Sequence, residues 1–169
     1  MMRVYIFNKK KFDDLMVTNN INDNVENRTS IFIISIVDTH MFNPFGEGTE
    51  KYLPKDVIEP YFKEDHENVM NLKFDDCEHD EENSPTNKGE TKAFTEEQAT
   101  KLFNFIKKHR EKETCIVHCM AGKSRSGAVG TFINGYAQGD WEKFRRDNPG
   151  ITPNGRVHRM LNQAKYDDF

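Results

Sequence analysis

The chain has 169 residues, a formal charge of −4, 36% hydrophobic and 31% charged residues, and three cysteines. That length suffices for one domain with a sizeable core, and the composition is that of an ordinary, rather polar soluble protein. The negative balance argues against a general nucleic-acid binder, no run reaches the apolar length of a signal peptide or membrane helix, and three irregularly spaced cysteines make no disulfide framework. The expectation is a single domain over 1–169, monomeric, in the reducing cytoplasm and with free thiols.

In chain order, Arg3 to Phe7 reads as a first strand and Lys9 to Met16 as a short helix, followed by a polar loop from Thr18 to Ser30. Ile31 to Val37 is a continuous β-branched and aromatic run. It suits a central strand covered on both faces in a mostly parallel sheet. Asp38 to Pro60 is rich in turn residues, and the aromatics Phe42, Phe45, Tyr52, Tyr61 and Phe62 could cover either the core or one face of a site. Val69 to Phe74 gives a further strand that ends in Asp75 and Asp76, and six carboxylates fall between Asp75 and Glu82. Thr95 and Gln98 form a capping box for a helix to Arg110, with Ala99, Leu102, Phe103 and Ile106 on its apolar face. Cys115 to Val117 reads as a buried strand, and Ala128, Val129, Phe132, Ile133 and Tyr136 recur at helical spacing. Gly139 is the expected stop, Asp140 caps a short helix through Arg145, and Thr152-Pro153 opens a last helix with Val157, Met160, Leu161 and Ala164 facing inward. The order points to an α/β domain with its ligand site at the carboxyl ends of the strands.

Between that buried strand and the helix after it lies His118 to Gly127, HCMAGKSRSG. A strand, a tight loop and a helix start let the amides of Met120, Ala121, Gly122, Lys123, Ser124 and Arg125 turn inward as an anion cradle, with Gly122 and Gly127 permitting tight turns. Cys119 at its rim would feel the helix dipole, the amides, Arg125 and His118, so its pKa is expected below about 8.5. Arg125 offers a planar fork for two oxygens of a phosphoryl group while the thiolate attacks phosphorus in line. The Ser126 hydroxyl can donate to the sulfur and make it a better leaving group when water attacks the phosphocysteine.

His118-Cys119, five residues, then Arg125-Ser126 resembles the signature loop of the cysteine-dependent protein tyrosine phosphatases, and the short chain resembles their dual-specificity branch. The resemblance implies a central mostly parallel sheet flanked by helices, a phosphorylated protein as substrate, and no metal or cofactor. It also implies a general acid on a separate loop. Aligning Val69 to Asp76 with the strand before the general-acid loop of dual-specificity phosphatases places the acid at Asp76, with Asp75 as the alternative. Pro153-Asn154 resembles the pair that braces the signature loop in that branch.

Other readings remain open at this point. Gly122-Lys123-Ser124 suggests a nucleotide P-loop, which would want glycine where Val117 stands. Cys119 and His118 could be plain core residues, and Cys115 with Cys119 lacks a second ligand pair for zinc. Cys77 or Cys115 could trap an oxidised Cys119 as a disulfide. Lys123 would suit a phosphoinositide or an RNA 5′ end, and a phosphate-binding module without turnover is a further alternative.

Overall fold

Four short runs, three of them rich in β-branched or aromatic residues, pair into one sheet in the computed structural model, which describes residues 1–40, 58–78 and 91–169. The strands are β1 (Arg3–Asn8), β2 (Ile31–Val37), β3 (Val69–Lys73) and β4 (Thr114–Cys119), in spatial order β1-β4-β2-β3. Every neighbouring pair is parallel. Around the sheet lie α1 (Lys9–Thr18), α2 (Glu96–His109), α3 (Arg125–Tyr136), α4 (Trp141–Asp147) and α5 (Gly155–Asp167). This is the expected α/β architecture, with β2 and β4 inside. Their near-continuous apolar runs follow from burial on both faces.

The period of two along β4 sends its side chains to two different cores. Cys115, Val117 and Cys119 join the cluster built with Leu102 and Ile106 of α2, Val129 and Ile133 of α3, and Leu161 of α5. Ile116 faces the other way, among Phe12 and Met16 of α1, Ile33 and Phe62. Each fully buried aliphatic side chain in these layers contributes about 1.5–3 kcal/mol relative to exposure. Because all four strands run the same way, Asn8, Val37, Lys73 and Cys119 end at one edge of the sheet, and the site is built there.

Several local expectations shift. The stretch from Thr18 to Ser30 contains a 3-10 turn, Val25–Asn27. Helix α3 stops at Tyr136, before Gly139, and the chain turns through Gln138 at a φ of 54°. Gly139 then lies so close to Asn134 that a Cβ would sit 2.1 Å from its side-chain oxygen, so the glycine serves close packing rather than the helix stop. The last helix is capped by Asn154, whose side chain accepts from the Val157 amide, and Thr152-Pro153 lies before the cap. Tyr61 and Phe62 pack edge-on against Phe12 and belong to the α1-side core, while Phe42, Phe45 and Tyr52 fall outside the described residues. No described helix is long and apolar enough to cross a membrane.

Candidate active site

β4 delivers Cys119 to the edge of the sheet, and the chain crosses from there to α3 through residues 120–124. Gly122 makes the crossing possible: its φ is +67°, and a Cβ there would meet the Asn8 amide nitrogen at 2.5 Å and the Phe7 carbonyl carbon at 2.7 Å. Only glycine allows the loop to lie against the end of β1 in that conformation. Gly127 differs from the expectation, since it sits within the first turn of α3 and a Cβ there would make only ordinary contact with Ile151.

The loop's carbonyls are held from outside. Met120 O accepts from the Lys9 amide at 3.2 Å, Lys123 O from Thr152 at 3.0 Å, and Ser124 O from Asn154 at 3.0 Å. The described chain has no cis peptide, and in a trans peptide the carbonyl and the following amide point in opposite directions. The amides of Ala121, Ser124 and Arg125 therefore face away from the scaffold. Ser124 is the N-cap of α3, yet its side chain makes no capping bond. The positive end of the helix is thus left without a side-chain acceptor.

Cys119 is buried, and its Sγ lies 3.0 Å from Ser126 Oγ, itself fully buried. Arg125 is buried as well. Its Nη1 donates to Asp38 Oδ1 at 2.6 Å and to the Phe74 carbonyl at 2.8 Å, which fixes one corner of the guanidinium, while its Nε is buried with no partner among the described residues. Asp38 had no distinguishing signal in the sequence beyond standing at the carboxyl end of the β2 run.

The two aspartates after β3 part ways, as neighbours on an extended chain must. Asp75 faces Thr39 and Lys92: it accepts from the Thr39 amide at 2.9 Å, from the Thr39 hydroxyl, and from the Lys92 amide at 2.7 Å. Partial burial alone would push its pKa up, but the Lys92 and Thr39 hydrogen bonds, with His40 nearby, together hold the carboxyl below its ordinary value. Asp76 faces the loop. Its Oδ1 accepts from Ser124 Oγ at 2.7 Å and from Asn154 Nδ2 at 2.9 Å. Asn154 also donates to the Cys77 carbonyl at 3.3 Å.

His118 does not join the thiol. The pleat turns it to the α1 side, where its ring stacks on Phe12 at 4.0 Å between centroids and Nε2 lies 2.6 Å from Ser35 Oγ. Burial lowers its pKa to about 3, offset only in part by a backbone hydrogen bond at Cys119. The imidazole is therefore neutral near pH 7 and gives Cys119 no positive charge, contrary to the sequence expectation. Cys115 cannot trap Cys119 either. Four residues along one strand separate the two Cα atoms by about 13 Å, whereas a disulfide needs less than about 7 Å. The described cysteines form no disulfide, and burial pushes the Cys115 thiol well up.

The neutral His118 predicts acid sensitivity. The unfolded chain binds its proton near pH 6.5 and the folded chain only near 3, so this stability is fully present above pH 6.5 and lost as pH falls toward 3. At pH 5 the loss is about 2 kcal/mol. Urea midpoints at pH 7 and pH 5 check it: His118→Gln, though weaker at pH 7, should show a smaller drop between them. His109 acts in the same direction, its pKa lowered by burial, so His109→Gln is the control for the remainder.

No protein-family model matches the chain, and no curated protein does. Solved structures do. A single-substitution form of human DUSP28 superposes with a TM-score of 0.50 over 97% of this chain and 90% of its own, at 13% identity. A mouse protein described as a dual specificity phosphatase, complexed with zinc tungstate, gives a TM-score of 0.50 over 97% of this chain and 82% of its own, at 16% identity. The chain has the dual-specificity phosphatase fold. Within that fold, Cys119 meets Ser126, and Asp76 and Asn154 lie against Ser124 at the carboxyl edge of the sheet, while His118 turns away. Asp38 and the Phe74 carbonyl are the two members that sequence reasoning missed.

Proposed function

We propose that the protein is a cysteine-dependent phosphatase that hydrolyses phosphomonoesters through a phosphocysteine intermediate. The observation that carries the reading is the buried Nε of Arg125, without a partner among the described residues, at the uncapped start of α3, where the next residue, Ser126, pairs its hydroxyl with the Cys119 thiol. A buried guanidinium nitrogen left without an acceptor costs free energy unless an anion completes it. A phosphoryl group does so, with its oxygens on Arg125 and on the amides of Ala121, Ser124 and Arg125. Cys119 Sγ then attacks phosphorus in line, the P–O bond to the leaving group breaks, and Asp76 delivers a proton to the departing oxygen. In the second half, water attacks the phosphocysteine while Ser126 donates to the departing sulfur.

The substrate we assign is a phosphoprotein, phosphotyrosine first, with phosphoserine and phosphothreonine turned over more slowly. Three carboxylates support this over polyanionic ligands: Asp38 on Arg125, Asp76 on Ser124, and Glu78 on the start of α5. They disfavour a phosphoinositide or an RNA 5′ end. We read residues 1–169 as one monomeric, cytoplasmic phosphatase domain that needs no metal.

The purified protein should hydrolyse 4-nitrophenyl phosphate in the presence of EDTA and be inhibited competitively by vanadate, which mimics pentacoordinate phosphorus. Magnesium-dependent turnover would reject the mechanism, and phosphate binding without turnover would make the protein a binding module. A panel of phosphotyrosine, phosphoserine and phosphothreonine peptides, phosphoinositides and 5′-triphosphate RNA then tests the substrate. A clear preference for either of the last two overturns the phosphoprotein assignment.

A further inference from the structure

The segment that carries Asp76 is fastened to the signature loop and to the start of α5 at three successive residues. Asp76 Oδ1 takes the Ser124 hydroxyl and the Asn154 amide, and the Cys77 carbonyl takes the same Asn154 amide. Glu78 then spreads its carboxylate over α5, with Oε1 accepting from Gly155 at 2.8 Å and Oε2 from Arg156 at 3.0 Å. A serine at an N-cap ordinarily spends its hydroxyl on its own helix. Ser124 spends it on a carboxylate from a different loop, which ties the side chain of Asp76 to the cradle, while the Glu78 carboxylate ties the same segment to α5.

We propose that Ser124 and Glu78 are positioning residues for proton transfer, holding Asp76 with Oδ1 as a fixed acceptor so that Oδ2 is the oxygen that carries the proton. Oδ2 has no hydrogen-bond partner among the described residues. The inference rests on the reading of Asp76 as general acid. As the S–P bond forms and the P–O bond breaks, the Oδ2–H bond breaks and its proton passes to the leaving oxygen. The carboxylate left behind is already met by two donors on Oδ1. In the second half-reaction the attacking water returns a proton to Oδ2.

The test is the ratio of the kcat/KM for 4-nitrophenyl phosphate, whose leaving group departs with little help, to that for phenyl phosphate, which needs the proton. Ser124→Ala and Glu78→Ala should each raise the ratio about tenfold, the effect of one charge-assisted hydrogen bond. Ser124→Thr, which keeps the hydroxyl, should bring it back toward the wild-type value. Combined with Asp76→Asn, neither substitution should raise the ratio further, because the group they position is gone. The proposal is overturned if either alanine variant leaves the ratio unchanged, or if its effect adds in full to that of Asp76→Asn. If Asp76→Asn itself leaves the ratio unchanged, the general-acid reading has failed and this inference with it, a result separable from failure of the positioning alone.

Discussion

Replacing Cys119 by serine should abolish turnover, a loss on the order of 10⁶-fold, while leaving the protein folded and able to bind phosphate. The two outcomes follow from different parts of one loop. Attack on phosphorus needs the sulfur, because a serine hydroxyl in the same place has no base: His118 is turned to Phe12 and Ser35 on the other face of the sheet. Binding needs the inward amides, the start of α3 and Arg125, none of which the substitution touches. Turnover assayed with 4-nitrophenyl phosphate and phosphate affinity measured by calorimetry separate the two. Activity surviving in Cys119→Ser would reject the covalent mechanism, and loss of phosphate affinity along with activity would show that the cradle itself had collapsed.

Asp76→Asn should slow hydrolysis of phenyl phosphate by about 10²- to 10⁴-fold and that of 4-nitrophenyl phosphate far less. An amide can still accept from Ser124 and Asn154 through its oxygen, so the segment stays in place and only the proton is lost. Asp75→Asn is the informative contrast. Its carboxylate is met by Thr39 and Lys92 rather than by the signature loop, so the substitution should lower stability without changing the preference for leaving group. Because the folded pKa of Asp75 is depressed, that stability is present above its unfolded value near 4 and disappears as pH falls through the folded one. Leaving-group selectivity appearing in Asp75→Asn and not in Asp76→Asn would move the acid by one residue.

What was legible in the sequence was local. The capping box of Thr95 and Gln98 forms as read, the apolar run of Ile31 to Val37 is an inner strand, and the loop from His118 to Gly127 joins a strand to a helix. These signals live within a few residues of one another, where spacing alone decides the geometry. Asp38 could not be found in this way, because it reaches Arg125 across 87 positions of sequence and only the parallel pairing of β2 with β4 brings their ends together. His118 was misjudged because adjacency in sequence suggested adjacency in space, whereas the pleat puts neighbouring side chains on opposite faces. That Asp76 and not Asp75 meets the loop depends on Ser124 and Asn154, which come from two other elements.

The placing of Asn154 has a consequence for the order in which the site is assembled during synthesis. Cys119, the loop after it and Asp76 have all left the ribosome before α5 has, since synthesis runs from the N-terminus. A nascent chain that ends short of Asn154 therefore holds Cys119, Arg125 and the Ser124 contact to Asp76 but lacks the Asn154 and α5 contacts that seat residues 76–78. On the proposed reading of Asp76, hydrolysis of substrates with poor leaving groups should therefore begin only once α5 has docked.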